Sequence, residues 1–184
     1  MMLYYIHGYQ SEPNSIKGML FKEKLNAIPI KYRDCKPEEL VISKAVKKIM
    51  EQIQKDNNVV LIGSSLGGLL AVKTAFESKN NVKQLILLNP AIIPLSVDIT
   101  KIQGIPLRIL QEMQDEQLFR EKILCETFLI LGTQDDVVPN EWCIEFAKKQ
   151  EAVIKFLHDD HRFTRNIEKL PMMVRGFLEG KTLR

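Results

Sequence analysis

Residues 59–71 constrain the fold of this chain more than any other stretch. The four apolar residues at positions 59–62 show no alternation of polar and apolar side chains, which predicts a strand covered on both faces of a parallel sheet. Gly63, Gly67 and Gly68 come next, and the apolar residues after them predict a helix. The stretch therefore predicts a buried strand that passes through a tight turn directly into a helix.

Ser65 stands at the centre of a Gly-x-Ser-x-Gly pentapeptide in this turn. In a nucleophile elbow the serine occupies a sharp, strained turn, and the positions two before and two after it lie too close to other backbone to carry side chains. Gly63 and Gly67 occupy those positions, whereas Ser64 lacks such flanking residues. The N–H of Leu66, at the start of the helix, is free to face a group that Ser65 attacks. A competing interpretation is a turn that binds an anion or simply packs tightly.

The nucleophile interpretation requires an acid later in the chain. Asp135 and Asp136 follow a predicted strand at residues 126–131 and precede a predicted helix. Hydrolases built on this type of sheet carry their triad in the order Ser, Asp, His, and this acidic loop lies between the serine and the last histidines. We favour Asp135 as the acid and expect Asp136 to cap the following helix.

Residues 158–163 contain two histidines and two aspartates, a composition that would also suit a metal site. Their spacing matches no familiar metal motif and no further ligand cluster is evident, so we expect neither a metal nor an organic cofactor. His161 is favoured as the base because it lies beyond the predicted strand, in a loop that can reach Ser65. We expect His158 to be structural, and His7, directly before a glycine, to orient its own loop.

Predicted strands and helices alternate along the chain, which indicates an α/β fold with a mostly parallel sheet and helices on both faces. The predicted strands cover residues 2–6, 30–34, 59–62, 82–88, 126–131 and 153–157, and the predicted helices residues 15–26, 37–56, 66–78, 140–150 and a last segment ending near 180. Residues 91–122 are less regular and predict either a small cap or a plain crossover helix with a long loop. Six apolar residues there would line an acyl pocket or belong to the core: Ile92, Ile93, Leu95, Ile105, Leu107 and Leu110.

Composition indicates one globular domain spanning residues 1–184, because no linker, repeat or composition break marks a second. The net charge of +3 is spread along predicted helices without a basic, aromatic-rich stripe, which argues against nucleic-acid binding. No apolar run is long enough to span a bilayer, and the first residues lack the positive region of a signal peptide. The three cysteines show no paired spacing. We therefore expect a cytoplasmic protein with reduced thiols.

Five blocks of the sequence resemble the YqiA/YcfP-like esterase family of small bacterial α/β-hydrolases, in the same order and over nearly the whole chain. They are the His-Gly-aromatic loop at residues 5–13, the nucleophile block at 63–68, the Asn-Pro-Ala that ends the following strand at 89–91, the acid loop at 135–137 and the His-Arg-Phe block at 161–163. Two departures concern the loop shape and the substrate more than the triad: Glu12 replaces a small polar residue, and Asp159-Asp160 replace glycines.

The resemblance implies an α/β-hydrolase fold with Ser65 as nucleophile, Asp135 as acid and His161 as base. It also implies an oxyanion hole formed by the backbone N–H groups of Tyr9 and Leu66. The implied activity is the hydrolysis of acyl esters, or of thioesters of coenzyme A, through an acyl-serine intermediate.

Two classes of function remain open at this point. The favoured one is a serine hydrolase acting on a small-molecule ester or thioester, and the same machinery also serves acyltransferases, peptidases and carbon–carbon hydrolases. The other is a non-catalytic protein-interaction module on a hydrolase fold, because fold alone does not imply function. The sequence contains no indication of the oligomeric state.

Overall fold

The computed structural model describes residues 1–78 and 81–180, so positions 79, 80 and 181–184 of the predicted domain lie outside the described residues. Within them, one sheet contains the strands β1 (Met2–Ile6), β2 (Ile28–Ile30), β3 (Val59–Ser64), β4 (Val82–Leu88), β5 (Glu126–Gly132) and β6 (Val153–Leu157). Their order is β2-β1-β3-β4-β5-β6, and every neighbouring pair is parallel. The predicted α/β fold is confirmed.

Six of the helices in the described residues lie in the connections between the parallel strands, and the seventh follows the last strand. The helices are α1 (Ile16–Leu25), α2 (Ile42–Ile53), α3 (Leu66–Glu77), α4 (Leu107–Met113), α5 (Gln117–Arg120), α6 (Asn140–Gln150) and α7 (Leu170–Leu178), with 3-10 turns at Pro37–Glu39, Ile99–Lys101 and Ile167–Lys169. None of the helices in the described part of the chain has the length and apolar character needed to cross a membrane.

Two predicted elements differ from the observed ones. The second strand was expected at residues 30–34 but ends at Ile30, because its partner β1 ends at Ile6, directly opposite, and leaves nothing for later residues to pair with. The long helix expected from Pro37 is a short 3-10 turn followed by α2. The break lies at Val41, whose extended backbone (φ −119°, ψ 115°) interrupts the helix.

Each face of the sheet packs against its own set of helices. Along β1, Tyr4 and Ile6 join a core with α2, α3 and α6, while Leu3 and Tyr5 join a second core with α1 and α7. This alternation follows from the strand geometry, which sends successive side chains to opposite faces. Strand β3 is buried along its whole length, as its unbroken apolar sequence predicts.

All strands run in the same direction, so their carboxyl ends lie along one edge of the sheet. The loops after β1, β3, β5 and β6 meet at that edge, and they carry His7-Gly8-Tyr9, Ser65, Asp135 and His161 respectively. Ligands of open α/β sheets bind outside this edge. The topology thus places every predicted site residue along the same edge of the sheet.

Candidate active site

Ser65 occupies a strained turn between β3 and α3. Its backbone angles are φ 54° and ψ −122°, in a region that residues with a side chain adopt only where the surrounding structure enforces it. Three backbone hydrogen bonds hold the turn: Ser65 N–H donates to Leu88 O (2.9 Å), and Ser65 O accepts from the N–H groups of Gly68 (2.9 Å) and Ala91 (3.0 Å). The serine is thus presented on a rigid backbone.

The flanking glycines are required by the closeness of other backbone. A Cβ on Gly63 would lie 2.4 Å from Gly67 O, and a Cβ on Gly67 would lie 2.1 Å from Ile6 O. Contacts this short do not occur in folded proteins, so both positions exclude any side chain. This is the steric pattern expected of a nucleophile elbow.

Asp135 and His161 are hydrogen-bonded to each other. His161 Nδ1 lies 2.8 Å from Asp135 Oδ2 and 3.0 Å from Oδ1. The carboxylate is buried, and its Oδ1 also accepts the N–H groups of Val137 and Val138, both at 2.9 Å. We assign the ring proton to Nδ1, because the carboxylate only accepts, and this leaves Nε2 as a proton acceptor.

The expectation that Asp136 caps the following helix is wrong. Helix α6 begins after Pro139 without a side-chain cap, and Asp136 is exposed. The turn directs the side chain of Asp135 toward His161 and that of Asp136 into solvent. The two residues are identical in type, so the backbone of the turn alone decides which one is buried.

Two carboxylates next to His161 order its loop. The side chain of Asp159 is fully buried and accepts from the N–H groups of Asp160 (2.9 Å), Arg165 (3.1 Å) and Asn166 (2.8 Å). Burial by itself would raise the pKa of Asp159, but these hydrogen bonds outweigh it and hold the pKa below its usual value. Asp160 Oδ1 accepts from the N–H groups of Arg162 (2.9 Å) and Thr164 (3.0 Å). The residues that replace glycines thus bind the backbone of their own loop.

The buried side chain of Asn89, at the end of β4, connects the acid and base loops. Its Nδ2 donates to His161 O (3.0 Å) and Asp160 O (3.3 Å), and its Oδ1 accepts from Gly132 N–H (2.8 Å). Gly132 ends the strand that leads to Asp135. One amide therefore sets the spacing between the two loops.

Arg33 supports the loop that carries Tyr9. Its buried guanidinium donates to Tyr9 O (2.7 Å), Ser11 O (2.8 Å) and Glu12 Oε1 (3.3 Å). The Tyr9 N–H itself donates no hydrogen bond to any residue in 1–78 or 81–180, and Leu66, as the first residue of α3, has no intrahelical acceptor. Both predicted oxyanion-hole donors are therefore free, and Arg33 holds one of them in place.

His7 is part of this support rather than a base. Its Nδ1 lies 2.9 Å from Gly8 O, and its ring stacks on Tyr32 with centroids 4.3 Å apart. Burial lowers the pKa of His7 to about 4, so the imidazole is neutral at physiological pH. The structure thus places His7 behind the loop, as the sequence predicted.

A cavity of about 630 Å³ lies over Ser65. His161 lines it together with Tyr9, while the carboxylate of Asp135 is buried behind the histidine. Ser65 Oγ makes no hydrogen bond of 3.5 Å or less with any described residue, His161 included, and such contacts in unliganded enzymes are often longer than in their substrate complexes. The serine is therefore exposed to whatever enters the cavity.

Residues 91–122 contribute one wall of this cavity through Gln103, Gly104 and Ile105. Of the six apolar residues expected in a pocket or core, Ile105 alone lines the cavity. Ile92, Ile93 and Leu110 are buried in the core, and Leu95 and Leu107 are exposed. The apolar surface of the cavity comes instead from other elements, in Ile16, Val137 and Ile167.

Sequence reasoning missed Arg33 and Asn89 as supporting residues. Arg33 falls in a stretch predicted as a strand. The only feature of the sequence that could have indicated its supporting role was a charged residue among residues expected to be buried. Asn89 was recognised only as part of a block that ends a strand. Glu12, singled out as a departure from the family pattern, pairs with Arg33 and does not line the cavity. Among the described residues, no three His, Cys, Asp or Glu side chains are grouped as a metal site requires.

The chain is similar to solved structures that include proteins named as hydrolases. The chain is similar to Est1E from Butyrivibrio proteoclasticus with bound ferulic acid (20% identity over 100% of this chain and 90% of that chain, TM-score 0.78). It is also similar to alpha/beta hydrolase domain-containing protein 10 from mouse (20% identity over 97% of this chain and 89% of that chain, TM-score 0.76). A third similar structure is monoacylglycerol lipase from Paleococcus ferrophilus (14% identity over 98% of this chain and 95% of that chain, TM-score 0.74). At these identities the likeness shows the α/β-hydrolase fold.

Family membership comes from the sequence itself. No curated protein sequence is significantly similar to the chain. Residues 2–178, however, match the model of a family described as uncharacterised protein family UPF0227. The match spans nearly all of the described residues and confirms the resemblance to YqiA/YcfP-like proteins. The chain is therefore a member of the UPF0227 family with an α/β-hydrolase fold.

Proposed function

We propose that this protein is a serine hydrolase that cleaves a small-molecule acyl ester or thioester through a covalent acyl-serine intermediate. The observation that carries the proposal is the hydrogen bond between Asp135 and His161 beside the strained, cavity-facing Ser65. The fold of the neighbouring hydrolases supports the same class of reaction. A binding module would not need a serine at a strained position next to an oriented imidazole.

In the first half of the proposed reaction, Ser65 Oγ attacks the carbonyl carbon of the substrate while His161 Nε2 accepts the hydroxyl proton. Asp135 holds the ring in the required tautomer and stabilises the imidazolium that forms. The negative charge on the tetrahedral oxygen is stabilised by the N–H groups of Tyr9 and Leu66. The carbon–oxygen or carbon–sulfur bond to the leaving group then breaks, and the leaving group takes the proton from His161.

In the second half, a water molecule attacks the acyl-serine carbonyl and gives a proton to His161. The second tetrahedral intermediate uses the same two N–H groups. Its collapse releases the carboxylic acid and returns the proton to Ser65 Oγ. We further propose that residues 91–122 form a reduced cap over the acyl group, because they supply one wall of the cavity.

Two assays on separate samples test the proposal. One measures covalent labelling by a neutral alkyl fluorophosphonate, and the other measures hydrolysis of para-nitrophenyl hexanoate. Ser65→Ala should abolish both, because the nucleophile is removed. The matched control is Ser64→Ala, which changes the adjacent serine in the same cavity wall and should preserve labelling. Labelling of folded Ser65→Ala at the parent rate would contradict the proposal and favour a non-catalytic module.

A further inference from the structure

The cavity over Ser65 is lined by two basic side chains and, among the described residues, by no carboxylate. The charged groups are Lys17 and Arg162, and the other described lining residues are His161 and residues with uncharged side chains. The carboxylate of Asp135 is buried behind His161 and does not line the cavity. The charge of this cavity is therefore positive.

Lys17 forms no ion pair within the described part of the chain. It lies in the first turn of α1 with its Nζ 5.9 Å from the ring centroid of Phe163, and it makes no ion pair or hydrogen bond with residues 1–78 or 81–180. Burial lowers its pKa to about 8, although the charge of Asp160 opposes that shift. Six other lysines pair with carboxylates, namely Lys24, Lys31, Lys48, Lys73, Lys101 and Lys122, and the cavity location rather than the lack of an ion pair distinguishes Lys17.

The charges of three carboxylates, Asp160, Asp159 and Asp135, act on Lys17, but each is engaged elsewhere. Asp135 is hydrogen-bonded to His161, and Asp159 accepts backbone N–H groups of its own loop. Asp160 accepts the backbone N–H groups of Arg162 and Thr164 and, at 2.6 Å, the Thr164 hydroxyl. Desolvation of a partly buried ammonium that has no directly bonded counter-ion is costly, and a bound anion would offset that cost. The placement of Lys17 in a cavity next to a candidate nucleophile is explained if that anion is the substrate.

Arg162 supplies a second positive charge from the opposite loop. It directly follows His161, its backbone is held by Asp160 at 2.9 Å, and its guanidinium makes no ion pair with any described residue. A guanidinium presents several N–H donors in one plane, which suits the oxygens of a carboxylate or phosphate.

We propose that Lys17 and Arg162 form an anion subsite, so that the substrate of this enzyme carries a carboxylate or phosphate group near the scissile ester. This inference rests on the proposed function and deepens it by naming the substrate class. The cavity also offers neutral polar groups, Gln10 and Gln103, and a modest apolar surface for the linking carbons.

The test compares three substrates that share a six-carbon acyl chain. Para-nitrophenyl hexanoate is neutral, the para-nitrophenyl half-ester of adipic acid carries a carboxylate on the acyl side, and hexanoyl coenzyme A carries phosphates on the leaving group. We expect the parent to prefer one anionic substrate in kcat/KM. Lys17→Met, which keeps an apolar stem against Phe163, and Arg162→Gln should each lower that kcat/KM roughly 10-fold or more and leave the neutral ester within about 2-fold.

Matched controls come from the same helix and loop. Lys22→Met and Arg165→Gln remove exposed positive charges that do not line the cavity, and both should retain the parent's preference. The anionic substrate whose kcat/KM falls in Lys17→Met and Arg162→Gln identifies whether the charge lies on the acyl group or on the leaving group. A parent without preference for either one, or variants that lower the neutral and anionic substrates equally, would overturn the anion subsite.

Failure of this inference is separable from failure of the proposed function. Fluorophosphonate labelling of Ser65 without any charge preference would leave the hydrolase and remove the subsite. If labelling fails, calorimetric titration of adipate into the parent and Lys17→Met proteins still tests the anion subsite, because binding requires no turnover. Weaker binding to the variant supports the subsite, and equal or absent binding to both contradicts it.

Discussion

The side-chain amide of Asn89 donates a hydrogen bond to the backbone oxygen of His161, 3.0 Å away. The same amide accepts from Gly132 N–H at 2.8 Å, at the end of the strand that leads to Asp135. Asn89 itself adopts a left-handed backbone (φ 43°), which asparagine tolerates better than most residues. The relative position of the proposed acid and base thus depends on a residue that touches neither side chain.

Asn89→Ala is expected to destabilise the protein and slow the proposed reaction. The substitution leaves the buried Gly132 N–H without an acceptor, at a cost of roughly 2 kcal/mol, and frees the His161 loop. Urea unfolding and the rate of fluorophosphonate labelling measure the two effects. Asn57→Ala, at an exposed position, serves as the control and should change neither. Unchanged labelling by Asn89→Ala would show that the loop needs no such support.

Arg33→Met is expected to lower kcat more than it raises KM. The guanidinium holds Tyr9 O and Ser11 O, so its loss should misplace the Tyr9 N–H at the proposed oxyanion hole. Loss of one oxyanion donor costs roughly 100- to 1000-fold in kcat, and partial misplacement should cost about 10- to 100-fold. Steady-state kinetics on para-nitrophenyl hexanoate measure the effect. Arg33→Lys, which retains a donor, should recover part of the loss, whereas a purely structural role predicts lower stability with unchanged kcat.

Asp135→Asn is expected to lower kcat by roughly 1000-fold or more. An amide at this position favours the wrong tautomer of His161 and no longer stabilises the imidazolium. The adjacent Asp136→Asn removes the same charge from an exposed position and should retain nearly full activity. Burst and steady-state hydrolysis of para-nitrophenyl hexanoate compare the pair. Equal losses in the two variants would contradict the assignment of Asp135.

His7 is expected to make the folded state less stable in mild acid. Its pKa is about 4 in the folded protein and 6.5 when unperturbed, so the unfolded chain binds the proton more readily. The stabilisation from keeping His7 neutral is complete above pH 6.5 and is lost as the pH falls toward 4. Between pH 7 and pH 5 the free energy of unfolding should fall by about 2 kcal/mol from this group.

Urea unfolding of the parent and of His7→Gln across this pH range measures the contribution. The glutamine variant does not titrate, so its stability should depend less steeply on pH even where its overall stability is lower. Parallel curves for the two proteins would show that His7 does not remain neutral in the fold.

Local sequence patterns predicted the succession of strands and helices along the chain and the tight turn at Ser65. They did not predict where every element ends. The boundary of β2 depends on where its partner β1 stops, which no local pattern shows. The break before α2 likewise involves distant residues, because Ile42 N–H donates to Glu112 Oε2 at 2.9 Å. The roles of Arg33 and Asn89 were missed for the same reason, since their partners lie far away in the sequence.

The sequence by itself predicted the tight, glycine-flanked turn at Ser65, because the buried strand before it and the glycines at positions 63 and 67 are visible in a single short stretch. It also determined the order of serine, aspartate and histidine. Only the tertiary structure decided which of two adjacent aspartates faces His161, and that Lys17 and Arg162 share a cavity with Ser65. Those relations depend on how separate strand ends meet at one edge of the sheet, and chain order does not specify such distances.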